Sequence, residues 1–142
     1  MHRTKPQTAA FGLTDSPVGL AAWIVEKLRS WSGCEGDLER SFTKDEILTN
    51  VTIYWLTGTI ASSMRMYKAN SEIPPAQLAR RVEVPSGFSI FKGDVVRPPR
   101  QWLDRVANTV YATEPPRAGH FAPFEEPKAY VHELREFFRP YR

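Results

Sequence analysis

At 142 residues the chain is long enough for one domain and too short for two comfortable ones. Its 42% hydrophobic and 25% charged content is that of a soluble globular chain. The net charge of +3 is scattered, with clusters at Arg80-Arg81 and Arg97 to Arg100. No RNA-recognition, KH, helix-turn-helix or zinc-finger pattern goes with it, so nucleic acid is not an expected partner.

The N-terminus, MHRTKPQTAAFGL, lacks the apolar core of a signal peptide, which predicts a cytoplasmic chain. Asp15-Ser16-Pro17 reads as a helix start, with Ser16 capping and Pro17 in the first turn, where a missing N–H costs nothing. Leu20, Trp23, Ile24, Leu28 and Trp31 share one face, and Gly33 is the predicted stop. The apolar run Val18 to Val25 is far too short to span a membrane. The loop after it holds Cys34, whose solitude excludes an internal disulfide and fits a reducing compartment. Thr43 and Glu46 form a capping box, with Phe42 and Ile47 spaced as a hydrophobic staple. The helical pattern then takes in Ile47, Leu48, Val51, Tyr54 and Trp55, loosens at Gly58 and resumes to about Tyr67. Ala69 to Gln77 reads as a polar connector.

From Arg80 the pattern changes. Val82 to Val84 is a predicted strand leading into a loop that holds Asp94. Pro98-Pro99 opens a short helix with Trp102, Leu103 and Val106, and Thr109 to Thr113 is a second strand. The loop RAGHFAPFEEP follows with His120, and Pro127 starts a last helix expected to turn Tyr130, Val131, Leu134, Phe137 and Phe138 inward. Strand–helix–strand order implies a parallel pair. Two short parallel strands do not make a stable sheet alone, so the chain reads as the end of a larger α/β sheet.

Asp94 follows the carboxyl end of the first strand and His120 that of the second. Neighbouring strands lie about 4.8 Å apart, and open α/β sheets place ligands at this edge. A carboxylate on one imidazole nitrogen fixes the tautomer and leaves the other nitrogen free as a base. The order acid then histidine is that of an α/β-hydrolase. The alternative is an Asp in a surface turn and a His satisfied by backbone. No GxSxG elbow supplies a nucleophile, Cys34 reads as inert, and neither CxxC nor HExxH occurs, so no metal or other cofactor is expected. His2 and His132 read as solvated, and Glu125 and Glu126 as serving the positive end of the last helix.

Four blocks, DSPVGLAAWIVEKLRSW, FTKDEILTNVTIYWLTGTIASSMRMYK, VPSGFSIFKGD and AGHFAPFEEP, resemble the C-terminal portion of the microsomal-type epoxide hydrolases, a branch of the α/β-hydrolase fold. The resemblance runs from about Thr4 to Arg142. It implies an α/β fold in which residues 1–79 are the helical lid segment. Residues 80–142 would be the last two parallel strands with their flanking helices, and the whole helix-rich. It also implies that His120 activates water, that Asp94 orients it, and that Tyr67, in RMYK, hydrogen-bonds the epoxide oxygen. Packing at a helix end is the alternative for Tyr67. Trp55 would line an apolar pocket or the lid core. The substrates would be a small apolar epoxide and water, giving a vicinal diol through an alkyl-enzyme ester. Many relatives carry Glu where Asp94 stands. The HGxPG-type segment and the nucleophilic aspartate do not occur in these residues, and the second lid tyrosine would fall before Met1. The isolated chain is therefore expected to lack turnover. Two alternatives remain: another hydrolase of this fold, such as a dehalogenase or esterase, and a non-catalytic helical interaction module. The module would pair with the missing N-terminal half of a split hydrolase, and a homo-oligomer is a further possibility.

Overall fold

A computed structural model describes residues 3–142, in two units. His2 lies outside the described residues. The first unit is Met1–Lys27 with Thr43–Leu78, and the second is Leu28–Phe42 with Ala79–Arg142.

The first unit is helical. Helix α1 (Pro6–Asp15) lies in a stretch where the sequence predicts no element. Pro6 fits its first turn, and Pro6, Ala10 and Leu13 are buried, so packing supplies what local propensity does not advertise. Helix α2 (Pro17–Trp31) starts as predicted, the Gly19 N–H donating to Ser16 Oγ at 3.0 Å. Helix α3 (Lys44–Thr57) carries the full capping box. The Glu46 N–H donates to Thr43 Oγ1 at 3.2 Å, and the Thr43 N–H donates to the Glu46 carboxylate at 2.8 Å. Gly58, left-handed at φ 63°, ends α3 outright, so the predicted loosening is a break between two helices. Helix α4 (Ile60–Ser71) and the single turn α5 (Pro75–Leu78) take up most of the predicted connector. Ala10, Leu13, Leu20, Val51, Ile60 and Met64 form the core of this unit.

The second unit is built on strands β1 (Val82–Ser89) and β2 (Ala107–Thr113), parallel as expected and joined through helix α6 (Arg100–Val106). Strand β1 runs five residues past its predicted end at Val84. Pro85 and Gly87 interrupt the alternation that signals a strand, and the pairing register shifts beside both. Gly87 has a packing reason, because a Cβ there would lie 2.5 Å from Phe137 Cδ2. Phe137 sits on helix α8 (Pro127–Phe138), which follows the single turn α7 (Ala122–Glu125). The Glu133 carboxylate pins α8 to the sheet, accepting from Ser89 Oγ and Tyr111 OH, each at 2.9 Å, and from Thr113 Oγ1. Burial would raise Glu133, but these three donors outweigh it and hold the carboxyl below the usual glutamate range. Burial, helped by the Glu133 carboxylate, pushes the Tyr111 phenol up.

The inward face predicted for α8 is only partly inward. Tyr130 and Phe137 are half-buried, whereas Val131 and Leu134 are 41% exposed and Phe138 50%. A sheet of two strands is narrower than the apolar stripe of the helix lying on it. No helix among the described residues is long and apolar enough to cross a membrane.

Candidate active site

The pairing of β1 and β2 does not stop where the strands end. The Ile90 N–H donates to the Thr113 carbonyl at 2.9 Å, the Lys92 N–H to Pro115 at 3.2 Å and the Gly93 N–H to Ala118 at 3.0 Å. Gly93 and Gly119 form a last parallel bridge. Two loops leaving the same sheet edge are thereby held side by side, and the residues directly after that bridge are Asp94 and His120. Asp94 Oδ1 stands 3.0 Å from His120 Nδ1 and accepts the Val95 N–H at 2.7 Å. The imidazole side chain is 44% exposed and the carboxylate 29%. With Nδ1 engaged, Nε2 is the nitrogen left for proton transfer.

The loop that carries His120 is fixed on several sides. Its N–H donates to the Trp31 carbonyl at 2.8 Å, and the Trp31 ring meets the imidazole edge-on with centroids 5.4 Å apart. Trp31 also stacks on Phe121 at 6.3 Å, and Phe124 packs on the buried Phe42 at 4.8 Å. Gly119 lies so close to the backbone that a Cβ would meet Trp31 O at 2.5 Å and Gly33 N at 2.8 Å. Ala118 adopts φ 73°, a left-handed conformation that glycine takes more readily.

Glu125 corrects the sequence reading. It does not serve α8; its Oε2 accepts the Gly33 N–H at 2.7 Å and the Gly119 N–H at 2.9 Å, and its Oε1 accepts the Phe121 N–H at 3.0 Å. Glu126 makes no side-chain cap either. The usable signal is that Glu125 ends a one-turn helix that begins beside Phe121, so its side chain folds back over that turn. Trp31, predicted only as a helix-face residue, is the other member of the site that periodicity does not reveal.

Tyr67 lies on α4 in the first unit, 41% exposed. Trp55, in the same unit, borders a cavity of about 80 Å³ with Leu13, Leu20, Tyr54 and Ile60. That volume is well below the several hundred Å³ usual for a ligand pocket. Cys34 is fully buried, its thiol 3.5 Å from the Arg29 carbonyl.

No family model matches the chain. It is 42% identical over 147 residues to Epoxide hydrolase 1 of Sus scrofa, covering 96% of this chain and 32% of that protein. The crystal structure of the juvenile hormone epoxide hydrolase of the silkworm Bombyx mori superposes with a TM-score of 0.85 at 30% identity, over 99% of this chain and 37% of that one. The Aspergillus niger epoxide hydrolase gives 0.84 at 30% identity, over 98% and 34%. The chain thus spans about a third of the length of the relatives it matches.

Proposed function

We propose, for a chain whose sequence and fold are those of the C-terminal portion of the α/β-hydrolase epoxide hydrolases, that His120 and Asp94 are the base and orienting acid of an epoxide hydrolase. The observation that carries this reading is the 3.0 Å contact between His120 Nδ1 and Asp94 Oδ1 at the carboxyl edge of two parallel strands. A carboxylate nucleophile, supplied by residues outside these 142, opens the three-membered ring at carbon and forms an alkyl-enzyme ester. The Tyr67 O–H donates to the ring oxygen as it becomes an alkoxide. His120 Nε2 then takes a proton from water, whose oxygen attacks the ester carbonyl. The acyl C–O bond breaks, and the leaving ester oxygen takes that proton back from His120. Water's second proton, left on the newly formed carboxyl, passes to the ring-derived alkoxide, so that a vicinal diol departs and the carboxylate is restored. Asp94 stabilises the transient imidazolium.

In this reading residues 1–79 are the lid segment and residues 80–142 the end of the hydrolase core. The small apolar epoxide is the substrate and water the co-substrate. Val84, Val110, Trp102 and Val106 of the second unit are all more than half exposed, which supports a role within a family-sized protein rather than alone. The isolated 142-residue chain should therefore give no diol from an aryl epoxide. A chimera joining it to the N-terminal two-thirds of the Sus scrofa relative should give diol, and His120→Ala should abolish that. Diol formation indifferent to His120→Ala, in the chain or the chimera, would refute the assignment.

A further inference from the structure

We propose that Glu125 is the positioning residue of the base loop: its carboxylate gathers the N–H groups on both sides of His120, together with that of Gly33, and so sets where the imidazole stands against Asp94. The N–H groups of Gly119 and Phe121 belong to the two residues flanking His120, and Glu125 takes one on each oxygen, at 2.9 and 3.0 Å. The third donor, Gly33 at 2.7 Å, belongs to the segment whose Trp31 carbonyl accepts the His120 N–H at 2.8 Å. One side chain thus holds the loop and the backbone it rests on. Three converging donors need a group that only accepts, which a carboxylate is and an amide is not. A glutamine of the same shape turns its NH₂ toward at least one of the three N–H groups.

The loop has a use for such a clamp. Gly119 follows Ala118, whose left-handed conformation is strained for a non-glycine residue and persists only when its surroundings over-determine it. Displacing a catalytic group by about 1 Å can lower a rate about a hundredfold, so the clamp bears on the placement of Nδ1 as well as on folding. Its catalytic meaning rests on the reading of His120 as a base; the clamp itself does not.

The test is nuclear magnetic resonance on the whole chain, comparing the parent with Glu125→Gln, and with Glu126→Gln as the control beside it. Long-range proton–nitrogen correlation reports which imidazole nitrogen of neutral His120 carries the proton, and hydrogen exchange follows the Gly119 and Phe121 amides. In the parent the proton should sit on Nδ1 and both amides should be protected. Glu125→Gln should move the proton toward Nε2 and speed exchange at both amides about tenfold, the loss of one hydrogen bond, while Glu126→Gln changes neither. An unchanged tautomer in a folded Glu125→Gln, with or without a lower Tm, would reduce Glu125 to a structural residue and overturn the proposal. Should Glu125→Gln not fold, Glu125→Asp, one methylene short, is judged by the same two readouts. Free exchange of both amides in the parent overturns the proposal with no variant at all. None of these readouts uses an epoxide. A tautomer response without turnover in the chimera would count against the hydrolase reading alone. Turnover without a tautomer response would count against the clamp alone.

Discussion

Asp94 Oδ1 meets His120 Nδ1 at 3.0 Å one residue beyond the Gly93–Gly119 bridge, so backbone pairing brings the two side chains together. Removing the acid should then leave the loops in place. Asp94→Ala is expected to cost about 1–2 kcal/mol, for the two partly exposed hydrogen bonds its carboxylate makes with His120 and the Val95 N–H. The Gly93 amide should keep its protection, while the neutral imidazole loses its Nδ1-protonated form. Loss of that protection would show that the carboxylate, and not the ladder, joins the loops.

Gly119 is the tightest point of the site, because the atoms a Cβ would strike are the backbone O of Trp31 and N of Gly33, which cannot rotate away. Gly119→Ala should destabilise the chain by roughly 3 kcal/mol, at the upper end for overpacking. The His120 amide should exchange faster as its bond to Trp31 opens. Urea unfolding and hydrogen exchange measure both.

Gly87 and Phe137 make a tight contact of another kind, in which the obstacle is a side chain. Gly87→Ala should cost about 1–3 kcal/mol. Phe137→Leu in the same chain should return part of that loss, since the ring is what the new methyl meets. Additive costs in the double variant would show that the two residues are not coupled.

Glu133 gives the second unit an acid-sensitive joint. Its folded carboxyl lies below the ordinary glutamate value of 4.5. The stability it supplies is therefore present above that value and lost as pH falls through the lowered folded value. Glu133→Gln should flatten the fall in stability below pH 4.5, and above it should cost about 1–3 kcal/mol for bonds left imperfect. Urea midpoints at a series of pH values for both chains test the sign.

Much of this structure is legible in the residues. The capping box at Thr43, the cap at Ser16 and the strand–helix–strand order use chemistry local to a few positions, and each forms as read. The pairing of Asp94 with His120 follows from strand order and needs only that the loops leave the same edge. Reading fails where a partner distant in sequence decides. Helix α1 lacks a marked periodicity, and Gly87 looks like a strand breaker until Phe137 is laid over it. Glu125 looks like a helix-terminus carboxylate because one of its donors, Gly33, lies 92 residues away.

The ladder that continues past the strands has a consequence for how the two loops can change length. Between Pro115, whose carbonyl takes the Lys92 N–H, and Ala118, whose carbonyl takes that of Gly93, the chain makes an unpaired excursion through Pro116 and Arg117. An inserted residue there lengthens the excursion and leaves His120 where it is. The segment from Ile90 to Gly93 is paired at three of its four amides. One residue added within it shifts everything after it by a position and turns Asp94 away from the histidine. Of these two neighbouring loops, the histidine's can drift in length, and the aspartate's has to be copied residue for residue.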